Sequence, residues 1–166
     1  METETFKQMS ETARIAQLLE QTFEGKAYYG NSVLKTLEGV SAEIAAQKPK
    51  KSKNSIWEIV VHLILELRFH RRVIEGTAEK WIAGETTWND DNDHSAQAWE
   101  KTIDALKEAN RALVGAIRQL DDDILDQNAG QVSGSYYRML NGVLQHSIFH
   151  SGQISILKTL VQRESE

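Results

Sequence analysis

The stretch Gln145-His146-Ser147-Ile148-Phe149-His150-Ser151-Gly152-Gln153, inside a long apolar segment near the C-terminus, restricts the fold more than any other part of the chain. Its two histidines stand four residues apart, so on a helix they lie one turn apart on the same face. At the helical repeat, Met139, Val143, His146, His150, Gln153, Leu157 and Leu160 fall on one stripe. Two imidazoles therefore point where the helix also points leucines and methyls. A polar pair turned inward needs partners there, and a metal ion is one. Five histidines in 166 positions would give roughly 0.15 such pairs by chance, so the spacing alone is weak and its place on an apolar stripe is what strengthens it. Core histidines with ordinary partners, or histidines at a dimer face, are the competing readings.

The remaining segments are helical too. Ile15, Leu18, Leu19 and Phe23 follow helical spacing behind Ser10, a plausible N-cap. Gly25 and Gly30 interrupt that pattern, and Val33, Leu34 and Leu37 resume it, as one broken helix or two consecutive ones. Ser41 to Gln47 reads as a short extra helix closed by Pro49. Lys48, Lys50, Lys51 and Lys53 then crowd a solvated loop. Ser55 caps a second long helix to about Gly76, with Ile56, Val60, Leu63, Leu67 and Ile74 as its core stripe. His62 lies on a different side, between Glu58 and Glu66, with Phe69 and Val73 further along. Periodicity does not decide whether that side is buried.

From Gly76 to about Ser95 runs a long connection carrying Trp81, Trp88 and the acidic run Asp90 to Asp93; the two tryptophans would anchor it as an ordered crossover. A third helix spans about Ser95 to Leu120, with Trp99, Ile103, Leu106, Leu113, Ile117 and Leu120 in helical spacing. Asp121 to Asp123 can begin a further turn, and Ser133 or Ser135 can cap the fourth long helix, which continues through Val161. There is no repeat, strand alternation or linker. The expectation is an all-α four-helix bundle forming a single domain over residues 1–166.

Composition narrows the chemistry. With 24 acidic and 19 basic residues the net charge is −5, which gives no electrostatic reason to expect nucleic acid. The chain has no cysteine, so disulfides, thiolate ligands and a Cys nucleophile are excluded. The N-terminus is polar and acidic and no run approaches a membrane span, so a cytoplasmic protein without a membrane partner is expected. No His-Glu-x-x-His is present. Glu58 and His62, then Glu66 and His70, are each four apart rather than three, which removes the carboxylate-bridged di-iron arrangement. A phosphate-binding glycine loop and Gly-x-Ser-x-Gly are also missing.

The segment Ser55-Ile56-Trp57-Glu58-Ile59-Val60-Val61-His62, taken with His146-x-x-x-His150-Ser151-Gly152-Gln153-Ile154, resembles the DinB/YfiT-like family of bacterial four-helix proteins. Tyr29-Gly30 and Leu37-Glu38-Gly39-Val40-Ser41 extend the resemblance over nearly the whole chain. It implies a divalent metal held by one histidine of the second long helix and two of the fourth, which here are His62, His146 and His150. It implies a long crossover between helices two and three, and often a homodimer. Ser147 departs from the acidic residue that many relatives carry after the first histidine of the pair. Glu58 and Glu66 are alternative supporting carboxylates.

Neutral imidazole suits several ions, and availability decides among them; Zn or Ni come first, then Fe or Mn. Three imidazoles leave positions for water or substrate, and such an ion lowers the pKa of bound water or deprotonates a substrate thiol. The expected function is a metal-dependent enzyme acting on a small molecule, of hydrolase or thiol-S-transferase type, with a low-molecular-weight thiol supplied in trans. No residue stands out as general base. Gln153 can hydrogen-bond a ligand or pack behind the site. The alternative is a non-catalytic dimeric bundle that binds metal or a small ligand, which suits a fourth helix that is apolar nearly all round (Leu140, Leu144, Ile148, Phe149, Ile156, Val161). His70 and His94 are reserve ligands should His62 point elsewhere.

Overall fold

Six helices account for the regular structure in a computed structural model that describes residues 9–50, 52–78 and 93–164. They are α1 (Glu11–Glu24), α2 (Val33–Leu37), α3 (Ala42–Ala46), α4 (Ile56–Ile74), α5 (Ala96–Ile117) and α6 (Tyr136–Glu164). A single 3₁₀ turn, Asp122–Ile124, follows α5, and the described residues contain no β-strand. Trp81, Trp88 and Asp90 to Asn92 of the expected crossover lie outside the described residues.

The helix starts follow from serine chemistry. Ser10, Ser41, Ser55 and Ser95 each accept the backbone N–H three residues on, satisfying a donor that the helix itself leaves open. Ser55 forms a full capping box, because Glu58 reaches back to its backbone N–H. Ser135, the second of the two candidate caps, accepts from Arg138 N at the start of α6. Helix α4 ends where Gly76 takes φ +68°, which lets Thr77 N–H reach back to the Arg72 carbonyl. The glycine-broken first segment resolves as two helices, with α2 capped by Ser32.

Of the four long helices, α5 packs against both α1 and α4, and α6 packs against the same two. Phe23, Leu19, Leu63, Leu67, Leu106, Leu113, Leu140 and Ile154 are almost wholly removed from water in the space between them. Polar clasps tie the connections down. Asp122 accepts from the backbone of Glu11 and Thr12 at 2.8 and 2.9 Å, fixing the start of α1 against the turn after α5. Those two N–H donors hold the Asp122 carboxyl below its usual range. The indole of Trp99 donates to the Val40 carbonyl at 2.8 Å, joining α5 to the α2–α3 connection. Lys158 of α6 turns its ammonium to the carbonyls of Thr36 and Glu38 at the end of α2. Among the described residues no helix is long and apolar enough to cross a membrane.

Candidate metal centre

His62 faces inward because the first half of α4 is buried on nearly every side. Ile56, Trp57, Ile59, Val60, Leu63 and Ile64 are all buried with it, as are Phe69 and Val73 further along. The side that periodicity left open is therefore interior. Glu58, the polar residue in that run, is held at the helix start by Ser55 and by Lys48 at 2.7 Å. That tie accounts for it without any role beside the histidines.

On α6 the buried sector has Val143, Ser147, His150, Ile154, Leu157 and Val161 as its spine. It is rotated slightly from the stripe expected from sequence, and Leu160, expected inside, is 39% exposed. His146 and Gln153 lie on the flank of this sector and are half-buried. Ser147 spends its hydroxyl on the Val143 carbonyl of its own helix at 2.8 Å.

The three histidines converge from two helices. His146 Nε2 lies 3.2 Å from His62 Nε2 and 3.0 Å from His150 Nε2. One ligand atom from each falls within 4.8 Å of the other two. Ligands sharing a tetrahedral ion at 2.0–2.1 Å stand about 3.3 Å apart, so the two short separations are within a few tenths of that requirement. His70 and His94 stay outside the cluster. His70 Nδ1 donates to the Glu66 carbonyl at 2.7 Å, and the His94 ring lies edge-on to Trp57 at 5.3 Å between centroids.

Proton bookkeeping favours a cation over a purely hydrogen-bonded cluster. Gln153 Oε1 lies 2.7 Å from His150 Nδ1, which therefore donates and leaves the His150 Nε2 lone pair facing His146. In a neutral imidazole His146 Nε2 carries either one N–H or one lone pair, so one proton or one lone pair would have to be shared between the two short contacts. A cation takes up all three lone pairs. Burial keeps those lone pairs available: with repulsion from His150 it pushes His62 down to about 4, and with repulsion from the neighbouring histidines it pushes His146 to about 4. Burial also lowers His150, against the upward pull of its bond to Gln153. All three rings are pushed toward the neutral form, the form in which imidazole can take a metal.

Two expected outcomes follow. Gln153 holds the His150 ring in one orientation, and if the cluster takes an ion, Gln153→Ala should weaken metal binding by about 10–100-fold with little change in fold, measured by competition with a chromophoric chelator. Unchanged affinity would show that the His150 tautomer needs no such hold. In the metal-free protein the unfolded chain binds more protons than the native one between about pH 4 and the ordinary histidine pKa of 6.5. Stability should therefore be flat above that window and fall as the pH drops through it. Glu66, whose carboxyl burial pushes up, works in the opposite sense and blunts the lower end. Thermal melts of chelator-treated protein check this, and the slope should shrink in His146→Asn.

One polar group near His150 was not singled out from sequence. Ser151, its neighbour, is buried with its hydroxyl 3.3 Å from that of Thr36, and it also bonds the Tyr29 hydroxyl. Burial raises the Tyr29 pKa, and the bond from Ser151 lowers it again in part. The serine sits one turn from Ser147 on the buried spine, the one signal that marks it.

Comparison with curated proteins and with solved structures returns no match. A family model, described as the DinB superfamily, matches residues 30–154, a span that contains His62, His146 and His150 and far exceeds half of the chain. The chain belongs to the DinB superfamily.

Proposed function

We propose that the protein is a metal-dependent enzyme acting on a small molecule, with one divalent cation held by His62, His146 and His150. The observation that carries this reading is the meeting of three neutral imidazoles, two from α6 and one from α4, at nitrogen separations suited to a shared ion. When bound, such an ion supplies Lewis acidity at its remaining positions, toward a carbonyl, a water or a thiol. The chain's own residues do the rest. Gln153 fixes the His150 tautomer, burial keeps the three rings uncharged, and the half-buried flank position of His146 leaves one side of the cluster toward solvent. The chemistry is hydrolase or thiol-S-transferase in type, with Zn or Ni as the leading ions, then Fe or Mn.

The same reading takes the four long helices as a four-helix bundle of the DinB/YfiT kind, with its long crossover between the second and third, forming one cytoplasmic domain over residues 1–166. Its partners are a small-molecule substrate, in the transferase case a low-molecular-weight thiol, and a second copy of the chain. Metal analysis of the purified protein, followed by thiol-transfer and ester or amide hydrolysis screens, tests it. Stoichiometric metal with turnover on one class is the expected result. Metal without turnover leaves the binding-protein alternative, and failure to take up any ion overturns the reading.

A further inference from the structure

We infer that the Glu66 carboxylate, one helical turn beyond His62 on α4, is the proton acceptor for a ligand entering the open side of the three-histidine cluster. This rests on the metal reading above, and the ligand class it selects is a neutral protic donor such as water or a thiol.

Position comes first. His62, Glu66 and His70 follow one another at intervals of four on α4, one above the next along one side of the helix. Both ends of that row lie toward His146. His62 Nε2 is 3.2 Å from His146 Nε2, and His70 is near enough for a charge on it to push His146 down. Glu66 stands between them. One turn is a rise of about 6 Å, which keeps its carboxylate apart from the three rings. Among the described residues only His62, His146 and His150 bring ligand atoms within 4.8 Å of one another. A molecule standing on the solvent side of that cluster is within the reach of Glu66.

Its surroundings give the second observation. Glu11, Glu58 and Glu66 are the half-buried carboxylates among the described residues. Glu11 pairs with Arg14, and Glu58 with Lys48 and the Ser55 N–H. Glu66 has no such tie, although its side chain is only 20% exposed. The nearest basic atom, His70 Nδ1, is 3.5 Å from its carboxylate and gives its N–H to the Glu66 backbone carbonyl at 2.7 Å instead. Burial lowers the His70 pKa against the upward pull of that bond, so the ring is not a fixed cation. Burial also pushes the Glu66 carboxyl up, with no partner to offset it. Covering a carboxylate without a partner destabilises the fold, and a site that needs a base is where such a group has a use.

The step is a proton transfer. The O–H or S–H bond of the ligand breaks, and its electron pair stays on the oxygen or sulfur. The proton forms an O–H bond to a Glu66 carboxylate oxygen, so the charge of the site is unchanged. An anionic ligand would meet a second negative charge there and bring no proton to cancel it.

The test loads wild type and Glu66→Gln with cobalt(II) and titrates each with 2-mercaptoethanol at about pH 6, so that displaced water carries both its protons. Sulfur-to-cobalt absorbance counts the thiolate bound. Calorimetry in two buffers of different ionisation enthalpy counts the protons released. Gln keeps the shape, and no described donor depends on the carboxylate, so circular dichroism and cobalt content should match wild type. The expected result is almost no proton released by wild type and about one per thiol by the variant. One proton released by wild type, or none by the variant, overturns this inference and leaves the metal reading standing. Cobalt uptake without thiolate binding overturns it too, as does loss of cobalt from the variant alone, which would make Glu66 a ligand. Failure of both proteins to take up cobalt overturns the metal reading as well.

Discussion

Replacing His146 with alanine is expected to lower divalent-metal affinity by well over the roughly 100-fold that supporting residues contribute, to the point where purified protein holds no stoichiometric ion. Its Nε2 is the atom at short range to both other rings, 3.2 Å from His62 and 3.0 Å from His150. Removing it leaves two imidazoles with no third member to complete a binding set. Because His146 is half-buried on the flank of α6, the cost to folding should be small beside the loss of binding. His62 and His150 are buried, so alanine there confounds ligand loss with cavity formation. Elemental analysis and chelator competition on His146→Ala, beside a circular dichroism melt, give the answer. A variant that keeps one ion per chain at wild-type affinity would falsify the three-histidine assignment.

Trp99→Ala should be the most destabilising single change among the polar-anchored positions, by about 3–5 kcal/mol for the lost aromatic volume alone. The indole is buried at 7% exposure and lies against the Trp57 ring, 5.0 Å between centroids. Its N–H is the donor to the Val40 carbonyl. Truncation therefore opens a cavity and also leaves that carbonyl without its indole donor, a further cost of about 1–3 kcal/mol. Trp99→Phe refills much of the space yet still lacks the N–H, so the difference between the two variants separates packing from the hydrogen bond. Urea melts of the two proteins provide it. Equal losses would mean that the indole N–H contributes everything, and a negligible loss in both would show that α5 does not rely on this clasp.

What could be read from the chain and what could not divide along physical lines. The serine caps at Ser10, Ser41, Ser55 and Ser95 were legible because capping is local chemistry, decided within four residues. The short helix before Pro49 and the turn after α5 were legible for the same reason. The inward face of His62 was not. The first half of α4 is apolar on nearly every side, and a periodic pattern carries no direction when there is no polar face to contrast with it. Helix α6 posed the reverse difficulty. Leu160 was placed inside by spacing and lies partly outside, because Phe149, Ile156 and Leu160 blur the boundary between buried and open sectors. The His146–His150 pair was visible as spacing, but its meeting with His62 depends on how α4 lies against α6, which spacing alone does not encode. The resemblance to the DinB/YfiT-like family implies that meeting, and the packing of α4 against α6 brings the rings together.

The cluster joins residues 84 positions apart in the sequence, on helices that are not consecutive. An ion there would act as a removable staple, closing a long loop whose ends the denatured chain seldom brings together. Filling the site would add to the apolar packing that already seats α4 against α6. Stripping a bound ion would then lower the resistance of that same seam to unfolding.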